Sequence, residues 1–203
     1  MLHLVQVRAD ATRNRARIFD AARDLVGEHG PGVSMEAVAV RAGVAVGTLY
    51  RHHPTKAALL RAVLADSADR LAGAAQEALD DVDAGADPTA RFTELVRGYA
   101  RRYATDRSLK AAAAALGEPV PSDPAAYSED GPEHRAAAAI TDLLERAQRS
   151  GGVRPDVTLG DLLLLLGALP GGEAGEEQRE RVLDVVVTGL LTGGPRSARP
   201  GPA

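Results

Sequence analysis

Apolar residues in the first third of the chain recur with the period of an α-helix. Four of them, in a segment that begins near Ala11, share one side of such a helix: Ile18, Ala22, Leu25 and Val26. The glycines and the proline of EHGPG, residues 28–32, interrupt this pattern. The spacing therefore predicts a first helix that runs to about Glu28.

Signals for helix ends follow in close succession. Ser34 precedes the apolar stripe of MEAVAVRAG as a candidate N-cap, and Gly43 follows it as a left-handed C-cap. The next segment, VGTLYRH, should end before Pro54, because proline disfavours helical backbone at the residue before it. Thr55 is then the expected N-cap of a long helix that starts at Lys56. The pattern predicts two short helices joined by a tight turn, followed by a long connecting helix.

The helical period continues through the rest of the chain. A helix is expected from about Pro88, a short one over SLKAAAAAL, and a loop over the Pro- and Gly-rich residues 117–132. Further helices are predicted near 133–150, near 156–169 and over EQRERVLDVVVTGLL.

These elements predict an all-α fold in which an N-terminal three-helix helix-turn-helix domain is joined by a long helix to a C-terminal helical domain. The expected bounds are 1–63 for the first domain, 64–194 for the second and 195–203 for a disordered tail.

The amino-acid composition excludes several kinds of functional site and several classes of protein. The chain has no Cys, which excludes disulfides and thiol nucleophiles and favours a cytoplasmic protein. Aromatic residues make up only 3% of the chain, which favours helix packing over a β-sandwich. The longest aliphatic run, LLLLLGAL at Leu162–Leu169, is too short for a bilayer, which needs about 20 apolar residues. No membrane association is therefore expected.

The net charge of −4 hides a division along the chain. Residues 1–63 carry nine Arg and Lys against five Asp and Glu, a balance of +4, whereas the remainder carries 15 against 23, a balance of −8. A basic segment in an acidic protein is a candidate for contact with phosphate groups.

The stretch AGVAVGTLYRHHPTKAALL, residues 42–60, fits the demands of a helix-turn-helix whose second helix enters the major groove. Gly43 permits the tight turn, and Val44 and Leu49 are apolar where the short helix must pack. Gly47 has no side chain, so the protein backbone can approach a DNA phosphate closely at this position. Three further side chains can pair with phosphate: Tyr50, His52 and Lys56.

The segment VSMEAVAVRAGVAVGTLYRHHPTKAALLRAVL, residues 33–64, resembles the DNA-binding domain of TetR-family transcriptional regulators. The Gly-Thr-Leu-Tyr run, the following Pro-Thr-Lys and the preceding amphipathic helix occur in the family's order and spacing. The later stretch GVRPDVTLGDLLLLLGALPGG resembles the C-terminal domain of a subgroup of these regulators. The resemblance implies a sequence-specific repressor that a small, mostly apolar effector releases from its operator. No cofactor is expected, and a twofold dimer would imply an inverted-repeat operator.

The resemblance also implies which residues contact double-stranded DNA: Ala45, Val46, Gly47, Thr48, Tyr50, Arg51, His52 and Lys56. Phosphate contacts are expected from Thr48, Tyr50, His52 and Lys56, and base contacts near Val46 and Gly47. Two positions depart from the family's pattern. Ala45 stands where Ser or Thr often caps the recognition helix, and His53 stands where Phe is usual, which weakens an apolar anchor.

In the C-terminal domain, family architecture implies an effector pocket beside the helix from Pro88, with four lining residues: Phe92, Leu95, Tyr99 and Tyr103. Taken one by one, without the resemblance, the same residues indicate a packed core instead. LLLLLGAL is apolar on every side of its helix, and VLDVVVTGLL is nearly so, which indicates a homodimer through the last two helices. The expected contacts are Leu163, Leu166, Val182, Val186 and Leu190.

Other classes of protein and site fit the sequence less well. An enzyme is not expected, because it would rest on carboxylates and five histidines without any of the common catalytic motifs. A helical ligand-binding or scaffolding protein with weak or no DNA binding is the alternative. Metal binding at His52 and His53 is disfavoured, because adjacent side chains on a helix point about 100° apart. Four N-terminal arginines form either a DNA-binding arm or a solvated surface: Arg8, Arg13, Arg15 and Arg17.

Overall fold

The computed structural model describes residues 2–105, 107–117, 128–169 and 174–193 of the chain. In these residues the regular structure is helical: α1 (Leu2–His29), α2 (Met35–Ala42), α3 (Val46–His52), α4 (Lys56–Asp83), α5 (Pro88–Thr105), α6 (Arg107–Leu116), α7 (Pro132–Arg149), α8 (Leu159–Gly167) and α9 (Glu176–Leu190). The all-α prediction is confirmed.

Local signals account for most helix ends. The Ser34 hydroxyl accepts a hydrogen bond from the Ala37 backbone N–H at 3.1 Å, and Thr55 does the same for Ala58 at 3.1 Å. Gly43 ends α2 in the left-handed region, with φ of 64° and ψ of 39°. The predicted caps at Ser34, Gly43 and Thr55 are therefore confirmed.

Two helix starts differ from the prediction. α1 begins at Leu2 rather than near Ala11, and neither Gly nor Pro interrupts the helix in this N-terminal segment. α8 begins at Leu159 rather than near residue 156, because Thr158 and Asp161 form a reciprocal capping box that fixes the first turn. Much of the predicted loop at 117–132 and the predicted tail at 195–203 lie outside the described residues.

The chain divides into two compact units. The first unit comprises residues 1–68 and 105–120, and the second comprises residues 69–104 and 121–203. The first unit extends to residue 68 rather than to the predicted residue 63, and it also includes α6, which the prediction placed in the second domain. Ala112 of α6 is buried in a cluster with Val26 and Leu60, and sequence order alone does not reveal this contact.

The core of the first unit is formed where α1, α2, α3 and α4 meet. Phe19, Val38, Leu49 and Leu59 are among its most deeply buried side chains. An ion pair between Arg23 of α1 and Asp66 of α4, both largely shielded from solvent, adds a polar tie to this core. These contacts fix the orientation of the short helix α3.

The second unit packs around Phe92, Leu143 and Val153, which are almost completely buried. Two ion pairs tie α5 to α9: Arg97 to Asp184 at 2.6 Å and Arg101 to Glu180 at 2.9 Å. In the part of the chain that the structure describes, no helix combines the length and the apolar character needed to cross a membrane.

Candidate nucleic-acid interface

The short helix α3 is held by one buried side chain. Leu49 is fully buried in the core of the first unit, in a cluster that includes Met35 and Val38 of α2. With Leu49 pointing inward, the other residues of α3 are turned toward solvent or lie at the edge. The prediction that Leu49 packs on the neighbouring helices is therefore confirmed.

We call residues 45–52 together with Lys56 the α3 surface. Most of its predicted DNA-contact residues are exposed: Ala45, Gly47, Tyr50, Arg51, His52 and Lys56. Val46 and Thr48 are half-buried. The structure therefore gathers all eight predicted residues on α3, at its N-cap and at the first residue of α4.

Ala45 is the N-cap of α3 and makes no side-chain hydrogen bond to the helix. Ala45 replaces the Ser or Thr that is common in the family, and its side chain has no oxygen that could accept a hydrogen bond from the first-turn N–H groups. Only backbone bonds begin the helix, from the N–H groups of Thr48 and Leu49 to the Ala45 carbonyl at 2.9 and 3.2 Å.

The turn between α2 and α3 is held by an arginine from α1. The Arg17 guanidinium donates from Nε to the Ala42 carbonyl at 2.9 Å, and from Nη2 to the carbonyls of Ala42 and Gly43 at 2.5 and 2.8 Å. These carbonyls belong to the C-terminal end of α2, where helical partners are missing. Arg17 thus caps α2 within the protein.

This role differs from the prediction, which placed Arg17 only in a DNA-binding arm or on a solvated surface. The chain itself shows that a helix C-terminus needs donors, but not which arginine supplies them. Of the other N-terminal arginines, Arg13 and Arg15 are exposed, and the side chain of Arg8 lies outside the described residues.

Tyr50 contacts an acidic residue of α2. Its hydroxyl donates a hydrogen bond to Oε1 of Glu36 at 3.0 Å, and its side chain remains 41% exposed. This bond raises the pKa of the Tyr50 phenol above its ordinary value. The pKa of Glu36 is lowered, first by a bond from its own backbone N–H and then by the bond from Tyr50.

His53, the second departure from the family's pattern, packs as an aromatic ring. Its ring centroid lies 5.8 Å from that of Phe19, at an interplanar angle of 53°, and the Arg15 guanidinium lies 5.1 Å from the Phe19 centroid. Burial lowers the pKa of His53, and the charges of His52 and Arg15 lower it further. An aromatic anchor therefore persists at this position, with a titratable ring in place of an apolar one.

In the second unit, the predicted effector residues lie at different depths. Phe92 and Leu95 are buried in the core, and Tyr99 is half-buried against the same core. The Tyr103 side chain lies outside the described residues. α5 thus brings three of the four predicted residues to its core-facing side.

The predicted dimer contacts divide in the same way. Leu166 and Leu190 are buried in the core of their own unit, and Leu163, Val182 and Val186 are half-buried against it. The apolar side chains that these helices expose are Leu164 at 64%, Leu165 at 39% and Val185 at 73%. None of these three exposed residues is among the contacts that the periodicity predicted.

Among the residues that the structure describes, no three His, Asp or Glu side chains are grouped so that they could hold a metal ion.

Two family models match the chain. The model of bacterial regulatory proteins of the TetR family matches residues 18–63, and the model of the SbtR-like C-terminal domain of transcriptional regulators matches residues 87–192. The second match spans about half of the chain, and the first covers the helices that carry the α3 surface.

The chain is also similar in sequence to individual transcriptional regulators. The HTH-type transcriptional repressor KstR of Rhodococcus jostii is 50% identical over 58 residues, which is 28% of this chain and 27% of that protein. The match thus spans about a quarter of that curated relative.

Solved structures match over nearly the whole chain. A TetR transcription regulatory protein from Mycobacterium vanbaalenii is 35% identical, with a TM-score of 0.66 over 92% of this chain and 99% of that one. A TetR transcriptional regulator from Streptomyces coelicolor is 26% identical, with a TM-score of 0.64 over 89% and 99%. The chain belongs to the TetR family of transcriptional regulators.

Proposed function

We propose that this TetR-family protein represses transcription by binding an inverted-repeat operator as a homodimer, with the α3 surface in the major groove. One observation carries the proposal: α3 is anchored by the buried Leu49 and exposes Gly47, Tyr50 and Arg51. A short helix held on one side and polar on the other is what major-groove docking requires.

The residues of the α3 surface suit two kinds of contact. Tyr50, His52 and Lys56 carry hydrogen-bond donors that can pair with phosphate oxygens, and such contacts position a protein without reading sequence. Gly47 has no side chain, and the space where a Cβ would stand is open. The backbone of α3 is therefore accessible at this position to a phosphate or a base edge. Val46 can touch a thymine methyl group but cannot hydrogen-bond to a base.

Charge supports the same assignment. Residues 1–63 carry a balance of +4 in a protein whose net charge is −4, so the basic side chains are concentrated in the segment that contains the α3 surface. Phosphate contacts by Arg and Lys release counterions, and operator affinity should therefore fall steeply as salt rises.

The test begins with selection of duplexes from a random-sequence library by the wild-type protein, followed by fluorescence anisotropy on a selected duplex. Substituting Tyr50 and Lys56 together by alanine should weaken binding to every duplex, because both residues are assigned to phosphate. Substituting Val46 by Thr should instead change which sequence is selected. Unchanged affinity of the Tyr50/Lys56 double variant would refute the phosphate assignment.

Arg149→Ala is the matched control for charge. Arg149 is exposed on α7 in the second unit and pairs with Glu145 at 3.5 Å, so its removal takes away one positive charge without altering the α3 surface. Its operator affinity should equal that of the wild type. A wild-type protein that selects no duplex would favour a ligand-binding or scaffolding protein without DNA affinity.

We further propose that a small, mostly apolar effector binds the second unit and releases the operator. The support is family membership and the aromatic and aliphatic side of α5, where Tyr99 is half-buried at the edge of the core. A coupling of about 1 to 3 kcal/mol would lower operator affinity roughly 5- to 150-fold. Thermal-shift screening of apolar compounds, followed by anisotropy with Tyr99→Ala, would test both the effector and the role of Tyr99.

A further inference from the structure

Glu36 lies beside a proposed phosphate contact and occupies its donor. A tyrosine hydroxyl has one proton, and the Tyr50 hydroxyl donates it to Oε1 of Glu36 at 3.0 Å. A phosphate oxygen can only accept a hydrogen bond. While the contact with Glu36 persists, Tyr50 therefore cannot donate to phosphate.

The Glu36 carboxylate is held in place and stays ionised at neutral pH. It lies in the first turn of α2, where the helix dipole favours a negative charge. Bonds from its own backbone N–H, from Tyr50 and from the Ser34 hydroxyl lower its pKa. The same contact raises the pKa of the Tyr50 phenol, so the shared proton is held more firmly than in an isolated tyrosine.

A phosphate that approached Tyr50 would also meet the charge of Glu36. A hydrogen bond from the Tyr50 hydroxyl would place a phosphate oxygen about 2.7 Å from the hydroxyl oxygen, which itself lies 3.0 Å from Oε1 of Glu36. The phosphate and the carboxylate would then lie within about 6 Å of each other. Two negative charges within this range repel each other, even when solvent screens them. Every phosphate that binds at Tyr50 must therefore displace or tolerate Glu36.

We propose that Glu36 competes with operator phosphate for the Tyr50 hydroxyl and thereby limits the affinity of the protein for DNA. The inference rests on the proposed DNA-binding function and adds to it a residue that lies outside the α3 surface. Because the competition acts at phosphate, it weakens binding to any duplex, and base contacts then decide which site is occupied.

The test uses Glu36→Gln, which keeps the size of the side chain, removes its charge and leaves the Tyr50 hydroxyl only a neutral, weaker acceptor. Anisotropy with a duplex selected by the wild type should show about 2- to 5-fold tighter binding, the range expected for an exposed pair. Much of this gain should disappear in a Tyr50→Phe background, since no hydroxyl is then available for release. An equal gain in both backgrounds, or weaker binding by Glu36→Gln, would overturn the proposal.

Glu28→Gln is the control for net charge. It makes the same chemical change in the same unit, but the Glu28 carboxylate pairs with Arg41 at 3.0 Å rather than with Tyr50. A smaller gain than that of Glu36→Gln is expected, and equal gains would reduce the effect to net charge and contradict competition. Thermal melting of each variant verifies that the fold is retained.

The contact can also be measured without DNA. Ultraviolet titration of the four tyrosines, with Tyr50→Phe as the subtraction, should give a lower Tyr50 phenol pKa in Glu36→Gln than in the wild type. An unchanged phenol pKa would overturn the proposal. A wild-type protein that selects no duplex overturns the proposed function and this inference together, whereas wild-type binding without a gain specific to Glu36 overturns the inference alone.

Discussion

At the scale of single residues, Arg17 determines the shape of the turn that precedes α3. It spans 25 residues of sequence to reach the Ala42 carbonyl with Nε, and its Nη2 also reaches the Gly43 carbonyl. Arg17→Lys keeps the charge but loses the planar fork of donors, so we expect it to destabilise the first unit by about 1 kcal/mol. Urea unfolding followed by circular dichroism measures this loss.

Arg17→Ala separates geometry from charge in the same experiment. If the fork holds the turn, the Lys variant should recover little of the stability that the Ala variant loses. A lysine variant as stable as the wild type would show that charge alone suffices and that the paired carbonyl contacts contribute nothing.

His53 makes the stability of the first unit depend on pH. Its pKa in the folded protein lies below the ordinary value of about 6.5, chiefly because of burial and also because of His52 and Arg15. Below about pH 6.5 the unfolded chain therefore binds more protons at this residue than the folded chain does. Stability contributed by neutral His53 is lost as pH falls through this window.

His53→Phe should remove this part of the pH dependence, because phenylalanine cannot be protonated and can keep the ring contact with Phe19. Urea unfolding at about pH 7.5 and about pH 5.5 compares the two proteins on either side of the ordinary histidine pKa. His53→Leu should flatten the dependence equally while losing the ring contact. Equal pH dependence in the wild type and His53→Phe would show that His53 does not titrate in this window.

At the scale of elements, helices whose ends depend on neighbouring residues could be predicted from sequence. Ser34, Gly43 and Pro54 are local signals, and α2 and α3 have the expected ends. The start of α1 could not be predicted, because residues 1–9 contain no Ser, Thr, Asp or Asn that could mark an N-cap. For the candidate site, the α3 residues follow from a local pattern, whereas Arg17 and Glu36 act through contacts that sequence spacing does not encode.

The position of α6 was the least predictable, because its contacts join distant parts of the chain. Ala112 is buried against Val26 and Leu60, which precede it by more than 50 residues. Ala112→Leu would force extra methyl groups into this packing and should destabilise the first unit by roughly 1 to 3 kcal/mol. Chemical denaturation of the whole protein is the measurement.

Ala114→Leu provides the matched control on the same helix. Ala114 is exposed, and Ala and Leu have similar helix propensities, so this variant should unfold at nearly the wild-type denaturant concentration. Equal destabilisation by both substitutions would mean that the effect arises from the helix itself rather than from packing on the first unit.

At the scale of the whole molecule, the exposed apolar residues of α8 and α9 bear on self-association. Each chain covers Leu162 and Leu166 with its own core but leaves Leu164 and Val185 largely exposed. Exposed apolar side chains on these two helices are candidates for an interface, and in a twofold dimer both copies would contribute the same residues. We therefore revise the proposed dimer contacts to Leu164, Leu165 and Val185, with Leu163, Val182 and Val186 at the edge.

The wild-type protein should sediment as a dimer at micromolar concentration, and Leu164→Glu or Val185→Glu should shift it toward the monomer, because each places a charge in an apolar interface. Val40→Glu is the control, since Val40 is 78% exposed on α2 in the first unit, comparable to Val185 at 73%. A monomeric wild type, or dissociation by Val40→Glu as strong as by Val185→Glu, would contradict this interface.

Because an inverted repeat requires two copies of α3, the variants that dissociate should also lose affinity for a full operator. They should keep the weaker affinity of one α3 for a half-site.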